Sequence, residues 1–204
     1  MSHESYIHRA KPGEAGAPIL FVFHGTGGDE NQFFDFGTVL LPNATVISPR
    51  GDISEHGAAR FFRRKAEGVY DCEDLARATN RMSEFVSANR EHYGAGPVLG
   101  LGFSNGANIL ASMLIHKPGL FEAAVLMHPL IPFEPEERAQ RASTRILITA
   151  GERDPIASVD WTQSLADYFI RSGDEVSLEW HPGGHEIRAN EIDAAKRFFA
   201  TLGE

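Results

Sequence analysis

The 204 residues are 42% apolar and 23% charged, the balance of a chain that buries its own core, which excludes disordered, coiled-coil and collagen-like classes and leads us to expect one domain over 1–204. With 19 Lys and Arg against 28 Asp and Glu, the net charge of −9 repels a phosphate backbone, so nucleic acid is not an expected partner. The single cysteine, Cys72, permits neither an internal disulfide nor a Cys-rich zinc site; the N-terminus lacks the regions of a signal peptide and no apolar run approaches the roughly 20 residues of a bilayer span, so a cytoplasmic chain without a membrane span is expected.

In chain order, short apolar runs rich in β-branched and aromatic residues alternate with segments of helical period, the pattern of an α/β protein with a mostly parallel sheet and helices on both faces. The first strand is 19–23 (Ile-Leu-Phe-Val-Phe) and the second 44–47. Residues 49–71 carry Arg50, Arg60, Arg63, Arg64 and Lys65 without a clean period, and read as a long loop that serves either as a binding lid or as solvated surface. A helix from 74 to about 91 places Leu75, Ala78, Met82, Phe85 and Val86 on one face; Cys72, just before it, reads as a small buried apolar residue. Strands at 98–101, 123–126, 145–149 and 176–179 follow. A helix over 159–171 carries Trp161, Leu165, Tyr168 and Phe169 inward and stops at Gly173, and a last helix from about Ala189 buries Ile192, Ala195, Phe198, Phe199 and Leu202. No repeat or linker marks a domain boundary.

The strongest chemical signal is Gly102-Phe103-Ser104-Asn105-Gly106, a G-x-S-x-G between a strand and an apolar helical segment. A serine in such a strained turn projects from the carboxyl edge of the sheet, and glycines on both sides keep side chains out of the crowded strand and helix. A serine hydroxyl is a weak nucleophile that needs a base, itself oriented by an acid, in the chain order Ser, Asp or Glu, His. Among the nine histidines only His181 and His185 come late enough. His185 is preferred, in a Gly-Gly-His loop after the sixth strand, because His181 ends that strand. The loop after 145–149 offers Asp154, with Glu152 as the fallback and an Asp-Pro turn as the bland reading. Backbone amides of Asn105 and of Thr26, in the loop His24-Gly25-Thr26-Gly27-Gly28, are the candidate oxyanion donors. That loop lacks the G-K-[ST] of a phosphate cradle, and no histidine pair has metal-ligand spacing, so neither metal nor cofactor is expected.

These four stretches, in this order and over almost the whole chain, resemble the α/β-hydrolase fold, and more narrowly the small carboxylesterase/phospholipase/thioesterase family. The resemblance implies a triad at Ser104, Asp154 and His185, an oxyanion hole at Thr26 and Asn105, and a small-molecule ester as substrate, with thioesters, lysophospholipids and lactones as alternatives. A non-catalytic ligand-binding protein of this fold is the alternative of another class. Many relatives carry Trp-Phe-Asp where this chain has Arg60-Phe61-Phe62-Arg63-Arg64; that stretch, with Ser48-Pro49-Arg50-Gly51-Asp52, is similar to a bacterial subgroup linked to hydroquinone and catechol resistance. Dienelactone hydrolases share the fold but use cysteine where this chain has Ser104. Arg60, Phe61 and Phe62 are expected to line the substrate pocket, the phenylalanines against an acyl or aryl group and an arginine toward an anionic one. The sequence leaves a homodimer open.

Overall fold

The computed structural model describes residues 2–94, 96–136 and 143–203. In chain order these form β1 (His8–Lys11), β2 (Ile19–Phe23), α1 (Phe34–Leu40), β3 (Thr45–Pro49), β4 (Ile53–Glu55), β5 (Ala58–Arg60), β6 (Arg64–Ala66), β7 (Val69–Tyr70), α2 (Cys72–Tyr93), β8 (Val98–Phe103), α3 (Asn105–His116), β9 (Ala123–Met127), β10 (Arg145–Gly151), α4 (Val159–Arg171), β11 (Glu175–His181) and α5 (Ala189–Ala200), closed by a short 3₁₀ turn (Thr201–Gly203). Seven strands make one sheet in the order β1-β3-β2-β8-β9-β10-β11. Its pairs are parallel except at the β1 edge, where His8 to Lys11 run antiparallel to β3. No helix among the described residues is long and apolar enough to cross a membrane.

Two apolar layers hold this sheet between helices. Along β2, Ile19, Phe21 and Phe23 point into the core shared with α2, α3 and α4, whereas Leu20 and Val22 point into the one shared with α1 and α5, as the two-residue period of a strand requires. All five are 1% exposed or less, which is why the run reads as continuously apolar rather than alternating. The parallel arrangement brings the carboxyl ends of β2, β8, β9, β10 and β11 to one edge, where an open α/β sheet presents its ligand crevice.

Several expectations change on folding. Cys72 is exposed: it opens α2 directly after the Asp71 cap, whose side chain accepts from the Asp74 amide, and this first position faces solvent. The stripe that α5 buries is Glu191, Ala194, Ala195 and Phe199, with Ile192 and Phe198 only half covered. In α4, Trp161 stays exposed while Leu165, Tyr168 and Phe169 go inward. The excursion over 49–71 is two small antiparallel hairpins, β4 with β5 and β6 with β7, whose strands of two or three residues are too short to show a period. The helix α1 escaped notice for a similar reason, being seven residues long with Gly37 at its centre.

Phe61 and Phe62, expected in a substrate pocket, lie in the core instead, 1% and 0% exposed. Phe61 packs edge-on against Phe23 and over the ring of His24, and Phe62 packs edge-on against Tyr70. Aromatic rings of this size bury more favourably in the core than against an open cleft, and they anchor the hairpins to the sheet. Phe61→Ala is therefore expected to cost about 3–5 kcal/mol of unfolding free energy, read as a lowered urea midpoint at unchanged slope; a loss under about 1 kcal/mol contradicts the anchoring role.

Candidate active site

Ser104 connects β8 to α3 with φ 52° and ψ −117°, a left-handed turn that a non-glycine residue adopts only under constraint. The constraint is visible: the Ser104 amide donates to the Met127 carbonyl at 2.9 Å, and the Ser104 carbonyl accepts from the Asn108 amide at 2.9 Å. A Cβ on Gly102 would collide with the backbone of Gly106, and one on Gly106 with the carbonyl of Phe23, so both glycines of the pentapeptide are required by close approach.

His185 sits in the loop between β11 and α5. Its Nε2 is 2.8 Å from Ser104 Oγ and its Nδ1 2.7 Å from Asp154 Oδ2. Nδ1 faces a carboxylate and so carries the ring proton there, leaving Nε2 with a lone pair toward the hydroxyl. The loop is fixed by cross-strand bonds, Glu152 N to His181 O at 2.9 Å and Arg153 N to Gly183 O at 2.8 Å. Asp154 is 7% exposed, and its Oδ1 accepts from the amides of Ile156 at 2.8 Å and Ala157 at 3.0 Å. Burial would raise its pKa, but hydrogen bonds from His128, His185 and those two amides outweigh burial and hold the carboxyl far below its usual range. Glu152, the fallback acid, points into solvent in the same loop.

On the β2 side, His24 is buried and held in one tautomer: Nδ1 donates to the Gly25 carbonyl at 2.7 Å, and Nε2 accepts from the Gly51 amide at 2.9 Å. Burial lowers its pKa, so it is a neutral structural pin. Thr26 is fastened to the first hairpin, its Oγ1 accepting from Arg60 Nη1 at 2.6 Å while Gly27 N donates to Ala59 O at 3.0 Å. Asn105 opens α3, so its amide is one of those without a partner inside the helix; its side-chain Oδ1 accepts from the Phe61 amide at 2.8 Å. Ser104, His185, Thr26 and Asn105 share the wall of one cavity of about 310 Å³.

The hairpins form the opposite wall. Arg60 and Arg64 line the cavity, and both reach Glu55, at 3.2 and 3.0 Å. Arg60 is 3% exposed and its guanidinium also meets the Phe62 carbonyl at 3.2 Å; burial lowers its pKa. Arg63 turns away to Asp74. Tyr70 closes the floor, donating to the Leu130 carbonyl at 2.7 Å and accepting from Asn108 Nδ2 at 2.6 Å. These bonds make the excursion a fixed part of the cleft.

Sequence reasoning passed over a second layer behind Asp154. His128, next after β9, places Nδ1 2.8 Å from Asp154 Oδ2 and Nε2 3.1 Å from Glu191 Oε1, and His181 Nε2 lies 3.2 Å from Glu191 Oε2. Chain order ruled His128 out as the base and hid its other use; Glu191 could have been noticed because it lies three residues before Ala194 on the buried face of α5. Donor atoms of His128, His181 and Glu191 converge closely enough to surround an ion, as do those of His128, Asp154 and His185. The hydrogen bonds argue otherwise: His181 Nδ1 accepts from the Gly183 amide at 3.0 Å, so its proton sits on Nε2, where a metal would need the lone pair.

Comparison with known proteins agrees with the fold. The chain is 34% identical over 183 residues to the protein MhqD of Bacillus subtilis (strain 168), covering 89% of this chain and 92% of that one. Among solved structures it resembles the protein Atu2452 of Agrobacterium tumefaciens str. C58, with 63% identity, TM-score 0.95 and 98% of each chain covered. It also resembles the Bacillus cereus carboxylesterase, with 33% identity, TM-score 0.92, and 97% of this chain and 95% of that one covered. The dienelactone hydrolase family model matches residues 73–193, a stretch that contains Ser104, Asp154 and His185, and the chain therefore belongs to the dienelactone hydrolase family, with serine at the elbow position.

Proposed function

We propose that the protein is a serine hydrolase of carboxylic esters that works through an acyl-enzyme on Ser104, with His185 as base and Asp154 as its orienting acid. The observation that carries this reading is the unbroken contact from Ser104 Oγ through His185 to Asp154, 2.8 and 2.7 Å, at a strained elbow open to a cavity. His185 Nε2 takes the hydroxyl proton as Oγ attacks the ester carbonyl, and returns it to the leaving alcohol. The same nitrogen then activates water, which attacks the acyl-enzyme and restores the serine. The oxyanion of each tetrahedral intermediate is met by the amides of Asn105 and Thr26, the first at a helix N-terminus and the second on a loop already tied down. The kinship to a carboxylesterase and the family membership support ester cleavage, and the cavity of about 310 Å³ in front of Ser104 is in the range of small-molecule sites.

A serine-directed phosphonate is expected to label the wild-type protein stoichiometrically and not to label Ser104→Ala, which keeps its fold because the hydroxyl leaves a surface turn and no core atom is removed. Slow, non-stoichiometric labelling of the wild type would instead indicate a binding protein with an unactivated serine. Asp154→Asn should lower kcat for a p-nitrophenyl ester by a factor on the order of 10⁴, because the amide cannot hold the required imidazole tautomer; Glu152→Gln should behave as wild type.

The hairpin arginines are expected to separate by role. Arg64 faces the cavity with Glu55 as its one carboxylate partner among the described residues, so Arg64→Gln should raise KM for an ester bearing a carboxylate, by about 10- to 100-fold for a charge-assisted hydrogen bond, and leave a neutral ester unaffected. Arg60 braces Thr26, and Arg60→Gln should lower kcat for both esters alike. Arg63→Gln should change neither, being paired with Asp74 on the outer side. Paired measurements on the neutral and anionic esters distinguish these outcomes.

A further inference from the structure

His128 is a buried histidine between two buried carboxylates. The side chains of His128, Asp154 and Glu191 have no solvent exposure. The Nδ1 atom, 2.8 Å from Asp154 Oδ2, must donate, because Oδ2 already accepts from His185 and an ionised carboxylate only accepts. The charge on the ring is then decided at Nε2, which lies 3.1 Å from Glu191 Oε1 and 3.5 Å from His181 Nε2. If Nε2 accepted the His181 proton across that longer gap, His128 would be neutral. If it faces Glu191 with a proton, His128 is an imidazolium.

Two considerations favour the imidazolium. Glu191 already accepts from the Thr149 hydroxyl at Oε1, 2.6 Å, and from the Arg188 amide at Oε2, 2.7 Å, with His181 Nε2–H beside the same Oε2, a set of donors that stabilises the anion. A neutral His128 would leave Asp154 and Glu191 as two carboxylates in one enclosed cluster with no cation, a charge of −2 whose desolvation would force a proton onto one of them. With His128 charged the cluster carries −1, and it becomes neutral when His185 takes up the serine proton. Among the described residues, the rings packed around His128 are those of His181 and His185, centred 5.4 and 5.1 Å away, and Phe103 at 5.7 Å. The backbone of His128 has φ 52°, a left-handed conformation, and its amide donates a hydrogen bond to the Thr149 carbonyl at 2.8 Å.

We propose that His128 is a positioning residue of the hydrolytic site, an imidazolium donating to Asp154 and paired with Glu191, that keeps Asp154 ionised and turned toward His185. The inference rests on the serine-hydrolase reading for its consequence in catalysis, but the protonation of His128 stands on the cluster alone. Burial by itself would lower its pKa, and the two carboxylates outweigh burial and raise it to about 9. Because that value lies above the ordinary 6.5 of the unfolded chain, the stability His128 supplies is fully present below pH 6.5 and is lost as pH rises through about 9.

Ring ¹⁵N NMR of histidine-labelled wild type near neutral pH tests the protonation without reference to activity. Both nitrogens of one ring should be protonated, and that signal should vanish in His128→Gln. A neutral His128 ring, or a stoichiometric metal ion found by elemental analysis, overturns the proposal. The catalytic consequence is read from kcat/KM against pH, or from phosphonate labelling rates against pH if no ester is turned over. Wild type should lose rate on the alkaline side as His128 deprotonates, and Glu191→Gln should move that limb to lower pH. His128→Gln keeps a donor toward Asp154 but cannot titrate, so it should retain part of the rate and lack the limb. His128→Ala should lose roughly 10- to 100-fold in kcat with KM little changed. An alkaline limb that is the same in wild type and Glu191→Gln, or that persists in His128→Gln, assigns His128 a purely structural role and ends the proposal; should His128→Ala fail to fold, the other two variants and the NMR experiment still decide it.

Discussion

The constraint on which the rest of this structure depends is the ionised state of one enclosed carboxylate. Asp154 gives up almost all contact with water, and an anion in that position survives only if its oxygens are filled. Two backbone amides take one oxygen and two imidazoles the other. The amides come from the turn leading to α4, the imidazoles from the loops after β9 and β11, so three separate segments must fold before the charge is tolerable. That requirement couples the edge of the sheet to its own assembly: misplacing any of these loops leaves a buried anion short of a donor.

The geometry at Ser104 is tied to the same edge by steric rather than electrostatic means. The elbow passes so close to β2 and to the start of α3 that no side chain fits at Gly102 or Gly106, and the serine backbone is fixed by its bond to Met127 at the end of β9. The hairpins between β3 and α2 then close the cleft through Phe61 and Phe62 in the core and through Tyr70, Asn108 and Leu130 at the floor. A parallel sheet supplies the alignment of strand ends; the hairpins supply an enclosed volume in front of them.

How much of this was legible in the sequence follows from the kind of signal each part leaves. Ser104, Asp154 and His185 each follow a strand long enough to be recognised, and the geometry of the elbow demands particular residue types, so local pattern and chain order together located the candidates. Phe61 and Phe62 were misjudged because aromatic residues beside arginines look the same whether they face a pocket or a core, and hairpins this short have no periodicity to separate the two. β1 was unrecognised because His-Arg-Ala-Lys on a half-covered edge has no apolar alternation. Glu191 left a trace in its place on the buried face of α5, but His128 left none, and their meeting is a fact of the packing of α5 at the ends of β9 and β10.

Asn105 has a consequence for how such a site can change. Its main chain follows Ser104 at the cleft, and its side-chain carbonyl holds the first residue beyond the β4–β5 hairpin, so replacing it disturbs the Ser104 turn and the facing wall in one step. Variation in the shape of the cleft is therefore channelled away from the base of the hairpins and toward their tips. Gly57 and Gly68 occupy those tips with φ of 90° and 70° and open space where a side chain would stand, and Gly68 borders the cavity. Lengthening or shortening the turn around Gly68 would reshape the mouth of the cleft without touching a bond that holds the elbow, so the width of the entrance and the geometry around Ser104 can be altered independently.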